Sequence, residues 1–278
     1  GADDAGGSRI AGYLVVSGAA LDLSRVRVLG GVAIRSGELR ARSSTISAGP
    51  RDDALSGFRA RIELERSVVL GGAASALTAV TSTVVLDRVR LEADGSRRGF
   101  LARDSSVRAR SVVFAGSTLA QAALQASQVS MDGVSMSGGR EHGLVATDTS
   151  SVAARDVRVR TGGIGVLVQS SSVSLRRAEI EAAGAFALSG TGAQVVVVDS
   201  ALSGGTNAVV SHDGGRLTVR RSSLRAGEGA LMWVGAGRAR WSDIEARAGP
   251  RDGIVVSGPN AGVEVERSEI RGAGSFAV

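Results

Sequence analysis

The sequence predicts an all-β solenoid of about twelve stacked coils, each of about 22 residues and three short strands. The first observation is an eight-residue pattern: apolar, any, apolar, any, any, small or apolar, any, apolar. It begins at Leu21, Leu39, Ile62, Val84, Val107, Val129, Val152, Val173, Val195, Leu217, Ala239 and Val263. These twelve copies are spaced 18 to 24 residues apart, with a mean of 22, the period of a repeat architecture. The second observation is that each copy alternates with period two, as strands do, around a two-residue interruption, and no segment shows a 3.6-residue apolar face. The third is a further short apolar piece before most copies, as in "GLVA", "GVLV", "GALM" and "GIVV". One coil cannot bury its own inward side chains, so stacking must build the core.

Composition agrees with an aliphatic column. Of 278 residues, 39 are Gly, while only five Phe, two Trp and one Tyr are present. The net charge of +6 is mild, and the arginines are interspersed with 27 acids. A nucleic-acid surface would concentrate basic charge among aromatics, so no nucleic-acid partner is expected. The absence of cysteine excludes disulfides, thiolate-bound zinc and a thiol nucleophile. No apolar run is long enough to span a membrane. Residues 1–9 read as a flexible acidic leader and residues 10–278 as a single solenoid domain.

The repeat length and strand pattern resemble the right-handed parallel β-helix of the pectin-lyase-like superfold, over residues 10–278. The resemblance implies the right-handed crossover usual for parallel strands. It also implies a surrounding class of polysaccharide lyases and hydrolases. Their lyases carry calcium-binding acids with an Arg or Lys base, and their hydrolases carry clustered aspartates and a Gly-His-Gly. Here paired acids occur at Asp3-Asp4 and Asp52-Asp53, and the nearest match to Gly-His-Gly is "GREHGL", with Glu141 replacing a glycine before His142. The other histidine, His212, precedes Asp213. Strand spacing places the two histidines roughly 14 Å apart along the axis, too far to share a proton relay. Both pairs are expected at surface turns. No catalytic residue, metal site or cofactor is assigned. Two asparagines in the whole chain cannot form the asparagine ladder of many pectate lyases.

Two further patterns belong to the architecture. "AGPRD" occurs at Ala48–Asp52 and again at Ala248–Asp252. Both copies follow the eight-residue pattern, so they mark the same turn in two coils, with Pro fixing φ. The second interrupting position reads Asp156, Arg177, Asp199, Arg221, Asp243 and Arg267 in successive coils. Opposite charges on neighbouring strands support register, so this column is expected to be a solvated ion ladder. Asp87, Arg110, Asp132 and Arg155 alternate similarly at the first interrupting position.

One pattern points outward. The strand opening each coil carries two adjacent apolar positions, and the second reads Leu101, Leu124, Val145, Leu167, Leu188, Val209, Leu231 and Val255. If the first points inward, the second forms an exposed aliphatic stripe, with Met232 buried and Trp233 near the outer rim. A sharp bend that lets both positions touch the core is the competing arrangement. "GAGSFAV" at the end starts a further coil, and uncapped coils leave backbone edges that proteins usually cover. The sequence therefore favours a non-catalytic rigid rod, outside the cell or on its surface, that meets a protein partner or itself through this stripe or its ends. The alternatives are a polysaccharide lyase or hydrolase, including a phage-type depolymerase, and a carbohydrate-binding module.

Overall fold

The computed structural model describes residues 8–48, 52–72, 74–204, 208–250 and 253–272. These residues form 32 strands and no helix. Every strand pairing is parallel, and each strand pairs with its counterparts one coil before and after. The result is a parallel β-solenoid of about 12 turns. Three faces run its length. The first is founded on Leu14–Ser17, Val32–Arg35 and Leu55–Phe58; the second on Ala20–Ser24, Glu38–Arg42 and Arg61–Glu65; the third on Val26–Gly30, Thr45–Ala48 and Val68–Leu70.

The eight-residue pattern is the second face, a corner and the start of the third. All twelve of its first residues stack in one register column, from Leu21 on Leu39 through to Ala239 on Val263. Their side chains join a core that continues without interruption from Leu23 to Ala248. Phe100 stacks on Phe114 within it, ring centroids 6.2 Å apart, and Trp241 is fully buried. The first strand begins at Ser8, so Ser8 and Arg9 of the expected leader belong to the solenoid. Residues 1–7 and the "AGSFAV" end lie outside the described residues.

The two-residue interruption is explained by the backbone. Its second residue is a one-residue corner in the left-handed conformation: Arg25, Ser43, Arg66, Arg88, Ser111, Gly133, Asp156, Arg177, Asp199, Arg221, Asp243 and Arg267 all have φ between 44° and 64°. A second left-handed corner joins the first face to the second, at residues such as Ser36, Thr81, Asp104 and Ala126. Each costs backbone energy in a residue other than Gly, and burial of the flanking strands offsets it.

Serine takes the place of asparagine at the second kind of corner. Ser82, Ser105, Ser127, Ser150 and Ser171 are buried one above another. The amide of Ser82 donates to Ser105 Oγ at 3.0 Å, Ser105 to Ser127 at 3.2 Å, Ser127 to Ser150 at 3.1 Å and Ser150 to Ser171 at 3.1 Å. Each hydroxyl in turn donates to a carbonyl two or three residues back, as Ser127 does to Gln125 at 2.7 Å. Amides that the bend removes from the strand ladder are satisfied in this way.

The ion column is real but discontinuous. Arg177 grips Asp156 through Nε and an Nη at 2.6 Å each; Arg221 does the same to Asp199 and Arg267 to Asp243. The arginine beside each carboxylate holds Asp156, Asp199 and Asp243 below their ordinary range. The other alternating column, Asp87 to Arg155, stacks in register, but its ion pairs run sideways, Arg88 to Asp87 and Arg155 to Asp156. Both "AGPRD" segments follow third-face strands, Thr45–Ala48 and Glu245–Arg247, as one shared turn requires. Gly49–Arg51, Arg251 and Asp252 lie outside the described residues.

Candidate binding face

The three faces differ in charge. The second and third carry the ion pairs, such as Arg40 with Glu38 and Glu63, and Arg158 with Glu179. The outward residues of the first face form two columns. One runs Val15, Ala33, Ser56, Thr78, Leu101, Ala123, Val145, Leu167, Ser189, Ser211, Trp233, Val255. The other includes Arg35, Phe58, Val80, Arg103, Gln125, Thr147, Gln169, Thr191 and Asp213. Only Arg35, Arg103 and Asp213 are charged in these columns.

This register corrects the aliphatic stripe. Leu101, Val145, Leu167 and Val255 do lie in the outward column, each half-buried. Leu124, Leu188, Val209 and Leu231 do not: they are at most 1% exposed and belong to the core. The physical reason is the turn entering the first face. It buries the residue just before the first inward position of the strand, as at Ala54, Ala76, Ala187, Val209 and Leu231, so the bend brings both members of an apolar pair inside. Leu188 is consequently the first inward residue of its strand, and in Ala122-Ala123-Leu124 the middle alanine faces out. Met232 is fully buried and Trp233 is 36% exposed, as expected.

Aromatic side chains make this face distinct. Tyr13, Phe58 and Trp233 are exposed, and all three stand on it. Tyr13 lies against Gly31, where a Cβ would come 3.0 Å from the ring. Phe58 and Tyr13 line a hollow of about 530 Å³ with Val15, Ala33, Arg35 and Thr78, and the Arg59 guanidinium sits 5.1 Å from the Phe58 ring centre. At the other end, Trp233 lies over Gly235, where a Cβ would stand 2.7 Å from the indole and 2.9 Å from Asp213 Oδ1. Glycine is what lets the indole lie along the strand beside a carboxylate. Between the ends runs the hydrogen-bonding series Arg103, Gln125, Thr147, Gln169 and Thr191, with Arg103 Nε donating to Gln125 at 3.0 Å.

The titratable candidates fall elsewhere. His212 is not at a surface turn but points into the solenoid, 1% exposed, above the bare Gly190. Neither of its ring nitrogens has a hydrogen-bond partner, and burial pushes its pKa down. It is a core residue, while neighbouring Asp213 is exposed. His142 is half-buried on the first-face edge, in register with Ala120 and Ile164, and Glu141 is exposed. Asp53 is a half-buried carboxyl: burial raises its pKa against the lowering effect of Thr78 and Ser75, and Oδ1 is buried without a hydrogen-bond partner. Its side chain contacts Thr78, a wall of the Tyr13–Phe58 hollow, and its carbonyl borders Gly31. Among the described residues no group of three or more His, Asp or Glu is placed to hold a metal ion. Among these residues no helix is long and apolar enough to cross a membrane.

No protein-family model and no curated protein matches the sequence. Solved structures do match in backbone. A mutant tailspike protein of E. coli bacteriophage HK620, in complex with a pentasaccharide, is 14% identical with a TM-score of 0.52, covering 97% of this chain and 61% of the tailspike chain. A second mutant of that tailspike, also with a pentasaccharide, is 12% identical at a TM-score of 0.51 over the same shares. The periplasmic alginate epimerase AlgG is 8% identical at 0.43, covering 88% of this chain and 76% of its own. The chain thus spans about 61% of the length of the tailspikes it resembles. At such identities the shared property is the fold: this protein is a parallel β-solenoid whose backbone path is similar to that of a phage tailspike.

Proposed function

We propose that the protein engages polysaccharide along its first face, outside the cell or on a surface. The observation that carries this is the placement of Tyr13, Phe58 and Trp233, the exposed aromatic rings among the described residues, on the one face nearly free of charge. Aromatic rings with an apolar body and a polar edge suit the C–H faces of sugars. Gln125, Thr147, Gln169 and Thr191 supply donors and acceptors between them at strand spacing. The fold likeness to tailspikes in complex with pentasaccharide supports the same ligand class. Saccharide engagement replaces the non-catalytic rod as the primary reading; the rod remains its scaffold.

A second reading rests on the outward run Leu101, Ala123, Val145 and Leu167. Four successive coils present aliphatic side chains there, which favours association with another copy or a partner. A third, cleavage, rests on Asp53, a half-buried carboxyl beside the Tyr13–Phe58 hollow whose pKa is raised by burial. One experiment separates them: incubation with a panel of neutral and acidic polysaccharides, followed by co-sedimentation and mass spectrometry of the sugars. Retention of intact chains is the expected result. Shortened chains that disappear with Asp53→Asn establish cleavage. No retention across the panel overturns saccharide engagement, and a concentration-dependent oligomer then supports the second reading.

A further inference from the structure

Six arginines of the second-face strands have ion-pair partners, whereas Arg108 and Arg110 have none among the described residues. Arg40 and Arg61 share Glu38 and Glu63. Arg155 stacks in register on Arg176, yet Arg155 reaches Asp156 and Arg176 reaches Asp199. What sets two adjacent coils apart is that unpaired arginines stack on one another there. Arg216 stacks directly on Arg238, Thr218 on Arg240 and Arg220 on Ser242. Arg240 is paired with Glu264 at 3.5 Å and Glu266 at 2.9 Å. Arg216, Arg220 and Arg238 have no acid partner among the described residues. Like charges directly opposed on neighbouring strands destabilise a sheet.

These four arginines line a hollow of about 530 Å³ together with Thr218 and one carboxylate, Glu264, which is paired with Arg240. One side is open, because Gly262 is the register neighbour of Arg238 and a Cβ there would meet nothing within 4 Å. Three arginines without an ion-pair partner and one threonine line that space. Guanidinium forks match the oxygens of tetrahedral anions in bidentate fashion. A single carboxylate would leave two of the three charges uncompensated, whereas a doubly charged group with three or four acceptor oxygens would not.

We propose that the hollow bounded by Arg216, Arg220 and Arg238 binds a tetrahedral oxyanion, phosphate or sulfate. The site lies on a different face from the aromatic rings and is independent of saccharide engagement there. Calorimetric titration of the full chain at constant ionic strength tests it, with inorganic phosphate, sulfate and acetate as separate probes. Phosphate or sulfate is expected to bind at least about tenfold more tightly than acetate. Affinity that rises from pH 6 to 8 for phosphate and stays flat for sulfate distinguishes the two sources, because only phosphate gains charge there. The double variant Arg216→Gln/Arg238→Gln is expected to bind about tenfold or more weakly. Arg225→Gln/Arg247→Gln removes another in-register arginine pair, on the third face, and is expected to bind normally. In buffer free of both anions, Arg216→Gln/Arg238→Gln is expected to melt no lower than the parent, since it removes a repulsion. Equal binding of acetate, unchanged binding by that double variant, or a lower melting point for it would overturn the proposal.

Discussion

Replacing Ser127 with alanine tests whether the buried serine column satisfies the corner backbone. Ser127 is 1% exposed and Ser105 is 5% exposed. The Ser105 amide has Ser127 Oγ, 3.2 Å away, as its acceptor. Alanine removes that acceptor and leaves a buried N–H unpaired, which costs about 1–3 kcal/mol. The Gln125 carbonyl loses the Ser127 hydroxyl but keeps the Asp104 amide at 3.0 Å, so it adds little. At about 2–4 °C per kcal/mol for a chain of this size, the melting temperature should fall by about 2–12 °C. Thermal unfolding followed by circular dichroism measures it, with Ser130→Ala as reference, since Ser130 is exposed on the strand that follows the corner. Ser130→Ala should stay within about 0.5 kcal/mol of the parent. Equal melting of the two variants would refute the reasoning and make the column incidental.

Three other outcomes follow from the charges. The carboxylates of Asp156, Asp199 and Asp243 are held low by their arginines, so the stabilisation is present above the ordinary carboxylate range and lost as pH falls through the lowered values. Arg177→Gln should therefore lower the melting point slightly at pH 7 and not at about pH 2, a difference that high salt also erases. Burial depresses the His212 pKa, so the parent should lose stability as pH falls from the ordinary histidine range. His212→Leu should remove that loss and raise the melting point, read from melts between pH 5 and 8. The Asp53 pKa is raised, so its contribution is full below the ordinary carboxylate range and lost as pH rises through the raised value. Asp53→Asn should melt higher than the parent at pH 7 and converge with it in acid.

The repeat was legible because a single inward column per coil must stay apolar, and Leu21 through Val263 do so at nearly constant spacing. The corner was legible as an interruption, although only the backbone shows why Asp156 and Arg177 can occupy it: a left-handed residue turns its side chain into solvent. The first face was harder to read. Its strands enter through a turn that buries one more residue, so alternation counted from the first apolar residue inverts at Leu188, Val209 and Leu231. The shared face of the aromatic residues was invisible, since Tyr13 and Phe58 at one end and Trp233 at the other fall on one face only through coil register. His212 was misplaced for a local reason. Its neighbour in the preceding coil is Gly190, and the missing side chain gives the imidazole room inside.

The central claim is most directly tested by Trp233 fluorescence during titration with a polysaccharide retained in the panel, using Trp241→Phe so that Trp233 is the sole reporter. Saccharide on the first face predicts a saturable spectral change, and Trp233→Ala should weaken binding by about two- to tenfold. A polysaccharide that binds while the Trp233 signal stays flat, and that binds Trp233→Ala equally well, would contradict the account and place the ligand on another surface.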